Sequence, residues 1–214
     1  MKFAQHLQEK RHTPWLQYYT DYKELKKVLK RLEKEHKTHS QTFPILDSLP
    51  PATRFTHKAI QDEFFNQLEQ EVDKVEWFYL VILEKVQKQC QEVMANWFWA
   101  THHRPHHAHH QDTAPSPPPS LISHHLHNLL TTITRMQANF LPLNRLAIAK
   151  ILKKHDKLES THGGAATKQA MVERIRQHRR FWDADELNKV AADVKSFRWE
   201  LNKARIRLES DSVL

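Results

Sequence analysis

Glycine is almost absent from this chain. Its 214 residues contain only 2, side by side at Gly163 and Gly164. Phosphate loops of the Rossmann or P-loop kind need several glycines at fixed offsets, so both nucleotide-binding designs are excluded. Cysteine is scarcer still: Cys90 stands alone, no intramolecular disulfide can form, and a reducing compartment, cytoplasm or nucleus, is expected. Cys90 itself reads as a packed small apolar residue rather than a reactive thiol. Long apolar runs are also missing. The stretch from Trp77 to Leu83 falls far short of the ~20 residues that span a bilayer. No apolar segment follows Met1-Lys-Phe-Ala-Gln-His as a signal peptide requires, so a soluble protein is expected. Strand-like alternation and tandem repeats are absent too.

What is present is positive charge and helical periodicity. Lys and Arg number 33 against 25 Asp and Glu, a formal net charge of +8, and the pI is about 9.5. Such a balance favours an anionic partner: nucleic acid, a membrane face or a phosphorylated small molecule. A short helix is expected at about 2–10, and a second at about 15–37 with Pro14 near its start and Leu25, Val28, Leu29 and Leu32 as its apolar stripe. Pro44, Pro50 and Pro51 place a loop at about 38–53. From Arg54 to Ala100 there is neither Gly nor Pro, and Phe64, Leu68, Val72, Val75, Phe78, Ile82, Val86 and Val93 recur at helical steps. One long amphipathic helix, about 70 Å if continuous, follows.

Residues about 101–120 change character, from His-His-Arg-Pro-His-His-Ala-His-His to a Pro/Ser run, and read as a disordered low-complexity insertion. Helix resumes at about 121–140, Pro142 interrupts it, and a lysine-rich helix occupies about 144–158. After a Gly-Gly loop, 168–209 reads as helical with a break near Trp182-Asp183 and an apolar face of Val190, Val194, Phe197, Leu201 and Ile206. The fold class is all-α: an N-terminal helical hairpin packed on a bundle of long helices, one domain over 1–209 with a tail at 210–214.

The chemistry concentrates in two basic segments. Lys150, Lys153, Lys154 and Lys157 are spaced i, i+3, i+4, i+7, so their ammonium groups share one helix face. Ile148, Ile151, Leu152 and His155 fall opposite, toward a core. Like charges so crowded repel by a few tenths of a kcal/mol per pair, a cost that a multivalent anion removes. In the second helix Tyr22 and Lys26 are i and i+4 beside the apolar stripe, where a phenol and an ammonium can engage the same phosphate. Lys23, Lys27, Lys30 and Arg31 read as a solvated face. Lys2 stands at the first helix start, where free backbone N–H groups favour an anion.

These residues carry a resemblance. Met1-Lys-Phe-Ala with Trp15 and Tyr19-Thr-Asp-Tyr-Lys-Glu-Leu-Lys-Lys resembles the opening hairpin of SPX domains, and Asn144 followed by Lys150-Ile-Leu-Lys-Lys-His-Asp-Lys157 resembles their lysine-rich helix motif. Phe64-Phe to Phe78-Tyr suits the first long core helix of that family. Ala4 stands where the family often has Gly, and Leu146-Ala147 replaces a usual Thr-Gly. The resemblance implies a sensor that binds inositol hexakisphosphate or inositol pyrophosphates and acts in phosphate homeostasis. It places the ligand cluster on Tyr22, Lys26 and Lys154, a neighbouring surface on Lys150, Lys153 and Lys157, and a helix-start contribution on Lys2. It further implies a regulated protein partner: a phosphate-starvation transcription factor, or a fused effector domain if these residues belong to a longer chain.

Three rival readings rank lower. A nucleic-acid binder or a basic helical adaptor fits the charge, but no helix-turn-helix spacing, zinc pattern or RNA-binding sheet is present, and Trp97, Trp99, Trp182 and Trp199 read as bundle packing. His102, His103, His106, His107, His109 and His110 are ligand types for Zn²⁺, yet no Cys or fixed carboxylate completes a site there, so no metal and no cofactor is expected. Catalysis is not expected either, for want of a nucleophile–base pair or cofactor fingerprint. His155 and Asp156 are adjacent on a helix, so their side chains are expected to diverge, with His155 packed in the bundle and Asp156 balancing local charge.

Overall fold

The computed structural model describes residues 3–40, 51–102, 119–160 and 167–211. Among them there is no strand. Helix α1 spans Phe3–Glu9, a 3₁₀ segment Thr13–Tyr18, α2 Tyr22–Ser40, α3 Pro51–His102, α4 Pro119–Arg135, a π-helical turn Met136–Phe140, α5 Leu141–Ser160, α6 Lys168–His178 and α7 Asp185–Asp211. The protein is an all-α bundle, as its periodicity predicts. No helix among the described residues is long and apolar enough to cross a membrane.

Three boundaries differ from the sequence reading, each for a local reason. The second helix starts at Tyr22 rather than about 15, because Pro14 seeds a separate 3₁₀ turn and Asp21 caps α2, its Oδ1 accepting from the N–H groups of Lys23 at 3.0 Å and Glu24 at 3.1 Å. Pro51, read as a breaker, is the first residue of α3, a position where the missing N–H costs nothing. Pro142 does not interrupt the helix that carries it. Proline has no N–H to offer the carbonyl four residues upstream, here Ala138, and the ladder widens into a π turn over Met136–Phe140 before α5 continues. The break before α7 falls where expected, at residues 179–184, with Ala184 at φ 58°. The His/Pro insertion at 103–118, the loop at 41–50, the Gly-Gly loop at 161–166 and Lys2 lie outside the described residues.

The chain divides into two compact units. The first comprises Met1–Tyr79 and Gln137–Asp183. Its core is built from Leu25, Leu29 and Leu32 of α2, Phe64, Leu68, Val72 and Val75 of α3, and Ala147, Ile148, Ile151 and Leu152 of α5, all buried. An aromatic group anchors the 3₁₀ segment: Tyr18 stacks on Phe78 with centroids 4.1 Å apart, and Trp15 meets Phe78 and Phe140 edge-on at 5.5 and 6.0 Å. Such rings each bury 150–250 Å² at about 25 cal/mol per Å², so they dominate the hold on this segment.

The second unit comprises Leu80–Met136 and Ala184–Leu214. Ile82, Leu83, Val86 and Val93 of α3, Ile122, Leu126, Leu129 and Ile133 of α4, and Leu187, Val190, Val194 and Leu201 of α7 form its core. Cys90 is buried here, and burial, with Asp193 nearby, pushes its thiol pKa up, which suits a packed residue. Two expectations fail at the far part of α7: Ile206 and Trp199 are each 60 % exposed. Lys203 Nζ lies 4.7 Å over the Trp199 ring, one turn further along the same helix. Trp97 does pack, edge-on to Phe197 at 6.4 Å.

Candidate functional site: a lysine cluster on α2 and α5

The first unit sets α2 beside α5 through a chain of polar contacts that the sequence hides. Thr20, fully buried just ahead of α2, donates to Asn144 Oδ1 twice, from its N–H at 2.8 Å and its hydroxyl at 3.0 Å. Asn144 is itself only 1 % exposed, and its Nδ2 donates to the Phe140 carbonyl at 2.9 Å. Buried polar groups without partners cost about 1–3 kcal/mol each, so this satisfied network fixes where α2 begins relative to α5. Neighbouring contacts extend it. The Tyr19 hydroxyl donates to Asn139 Oδ1 and accepts from the His12 N–H at 3.1 Å. Asn139 Nδ2 donates to the Lys10 carbonyl at 2.6 Å, and Arg11 donates to the Thr20 carbonyl at 2.7 Å.

From that anchor the two helices run side by side in the same direction. One step along, Phe3 of α1 meets Tyr22 edge-on at 5.0 Å. The Lys150 ammonium sits over the other partner of this contact, the Phe3 ring, at 5.8 Å. Tyr22 and Lys150 are therefore gathered around one aromatic residue. Tyr22 is buried to 9 % exposure, and that burial raises the pKa of its phenol, which holds the hydroxyl neutral as a donor. Further along, Lys154 is half-buried at the seam. Desolvation lowers its pKa first, the ammoniums of Lys26 and then Lys30 lower it further, and Glu33 raises it in part.

Lys26 thus acts on Lys154 across the seam, whereas Tyr22 is grouped through Phe3 with Lys150, toward the start of α2. Lys153 and Lys157 are exposed on α5, and no described contact joins them to α2. The apolar side of α5 is buried as its spacing predicts. Lys30 is the residue that sequence reasoning missed. Read as part of a solvated face, it acts on Lys154; the signal was its i+4 spacing from Lys26. The rest of that face behaves as expected where partners exist: Lys27 pairs with Glu24 at 2.5 Å and Arg31 with Glu63 at 2.7 Å, all well exposed.

The cluster differs from such paired surface charge. Among the described residues, no carboxylate lies within 4.0 Å of the ammonium of Lys26, Lys30, Lys150, Lys153, Lys154 or Lys157. Glu33, whose carboxylate acts on Lys154, is paired with Lys37 at 3.0 Å. Unneutralised ammonium groups held at one seam raise the local concentration of anions and leave their hydrogen-bond donors available.

His155 and Asp156 do not diverge fully. The His155 ring is 1 % exposed and stacks on Phe64 at 5.0 Å, with Nδ1 3.5 Å from Asp156 Oδ1 and 3.3 Å from the Thr167 hydroxyl. Asp156 reaches the same hydroxyl at 3.0 Å and the N–H groups of Thr167 at 2.9 Å and Lys168 at 3.0 Å. It caps α6 from the neighbouring helix, a role beyond local charge balance. Compared with known proteins, the chain matches no family model and no curated protein.

Proposed function

We propose that this chain is a phosphate-status sensor module. It binds inositol hexakisphosphate or inositol pyrophosphates at the α2–α5 seam and regulates a protein partner in phosphate homeostasis. One observation carries the reading: Lys154 is held half-buried with Lys26 and Lys30 acting on it, only partly offset by Glu33, and among the described residues no carboxylate lies within 4.0 Å of its ammonium. Each phosphomonoester brings about −1.5 to −2 charges at neutral pH, so a ring with several phosphates is the kind of ligand that satisfies ammoniums on two helices together. Tyr22 and Lys150, one step away around Phe3, would take a second phosphate, with Lys153 and Lys157 supplying surrounding field and Lys2 completing the helix start as in SPX domains.

The magnitude is workable. Four or five charge-assisted hydrogen bonds at about 1.5–3 kcal/mol each, less several kcal/mol of association cost, leave roughly −8 kcal/mol, a micromolar complex. Inorganic phosphate reaches one or two of these lysines and binds far more weakly. Ligand charge relieves the repulsion at the seam and draws the opening hairpin against α5, which alters the surface offered to a partner. The partner is a phosphate-starvation transcription factor or an effector domain in the same polypeptide, in cytoplasm or nucleus. Calorimetry with inositol hexakisphosphate, a pyrophosphorylated inositol, inorganic phosphate and sulfate tests the reading. Micromolar binding of the ring ligands alone supports it; equal binding of all four anions removes it. Duplex DNA that displaces the inositol phosphate from the same lysines would favour the nucleic-acid reading.

A further inference from the structure

Beyond the lysine seam, three buried side chains from three helices converge: His36 of α2, His57 of α3 and Glu159 of α5, at 5, 7 and 4 % exposure. Their potential ligand atoms all lie within 4.8 Å of one another. His36 Nε2 faces His57 Nε2 at 2.5 Å, and His57 Nε2 lies 3.7 Å from Glu159 Oε1. That carboxylate oxygen is buried and receives no hydrogen bond. A carboxyl oxygen removed from water without a hydrogen-bond partner is costly. The two facing imidazole nitrogens share one proton in the hydrogen bond between them. Once that proton leaves, both can turn a lone pair to a cation beside the carboxylate.

We infer that His36, His57 and Glu159 form a structural site for a divalent transition-metal ion of the Zn²⁺ class, a staple joining α2, α3 and α5. Zn–N distances of 2.0–2.1 Å and Zn–O of 2.0–2.2 Å set tetrahedral ligand atoms about 3.3 Å apart. The separations of 2.5 and 3.7 Å bracket that value, and all three ligand atoms lie within 4.8 Å of one another, so an ion draws the carboxylate in and pushes the two rings apart. Two imidazoles and one carboxylate suit Zn²⁺, whereas Ca²⁺ and Mg²⁺ call for oxygen ligands throughout. The ion would supply the charge that Glu159 lacks and separate the two rings. A fourth ligand, water or another side chain, closes the tetrahedron. The inference stands apart from the polyphosphate reading, and its test contains no inositol phosphate.

The His-rich stretch also carries Zn²⁺ ligand types, so to keep it out of the measurement the experiment uses the full chain with His102, His103, His106, His107, His109 and His110 replaced by Ser. Equilibrium dialysis against Zn²⁺ with elemental analysis is expected to find one ion per chain. His57→Gln and Glu159→Gln, each checked for retained helicity by circular dichroism, are expected to weaken binding by more than the 10–100-fold typical of outer-shell changes. No bound Zn²⁺ in the tract-substituted chain, or unchanged affinity in both variants, overturns the site. A second measurement needs no core substitution. Co²⁺ in the tract-substituted chain is expected to give the intense visible absorption of a tetrahedral ion, with Zn²⁺ moving the His36 and His57 ring nitrogen resonances. Weak octahedral absorption with those resonances unmoved means that the three groups only share protons, and the inference fails.

Discussion

Replacing Lys154 by Met separates stability from function. In the folded protein Lys154 has a lowered pKa, first from desolvation and then from Lys26 and Lys30; in an unfolded chain a lysine keeps a pKa near 10.4. A depressed lysine binds its proton less tightly when folded, so the charged form costs stability at neutral pH. That cost is relieved only as pH rises through the folded pKa toward the unfolded value. Solvent screens a half-buried group, so each facing ammonium contributes about 0.2–1 kcal/mol, partly offset by Glu33. The net penalty is about 0.5–1 kcal/mol. Lys and Met have nearly equal helix propensity, so Lys154→Met should stabilise the ligand-free protein by that amount. For a chain of this size the melting temperature rises by about 1–4 °C, and the gain shrinks at alkaline pH. The same variant should lose inositol hexakisphosphate affinity by about 10–100-fold, the worth of one charge-assisted contact. Thermal melts at neutral and alkaline pH and a binding titration read both effects. A destabilised Lys154→Met that still folds, with ligand affinity intact, refutes the reasoning on both sides.

Other expectations follow from neighbouring residues. Asn144→Ala removes the acceptor for both Thr20 donors, which are fully buried, and should cost about 2–4 kcal/mol in denaturant unfolding. For Asp156, burial opposes ionisation, but the donors of Thr167 and Lys168 outweigh it and its pKa is lowered. Its contribution is therefore complete above the unfolded carboxylate pKa of about 3.9 and disappears as pH falls through the lower folded value. Asp156→Asn should cost about 0.5–2 kcal/mol at neutral pH and nothing in strong acid, as acid titration of stability will show. Arg31→Ala, which breaks an exposed pair with Glu63, should leave inositol hexakisphosphate affinity unchanged; a loss like that of Lys154→Met would extend the site beyond the seam.

The helices were legible because their apolar residues recur at steps that only a helix can bury on one side. The stripe Leu25, Leu29 and Leu32 and the face Ile148, Ile151 and Leu152 are buried as those steps require. Termini were less legible, because they depend on single backbone donors: the π turn ahead of Pro142 and the cap by Asp21 leave only faint traces in composition. Within the site, the crowding on α5 could be read from spacing, and so could the shared face of Lys26 and Lys30. The depth of Lys154 and its exposure to Lys30 could not, since both come from α2 lying on α5, which Thr20 and Asn144 enforce across 124 residues. The same reason hid His36, His57 and Glu159: no local spacing marks ligands drawn from three helices.

The central claim is that ammoniums on α2 and α5 act together on one polyphosphorylated ring. Calorimetric titration of inositol hexakisphosphate into the parent chain, Lys26→Ala, Lys154→Ala and the double variant tests it most directly. Micromolar binding by the parent is expected, with each single variant strongly weakened, the double losing less than the two effects combined, and helicity retained throughout. Equal binding by all four folded proteins would contradict the account.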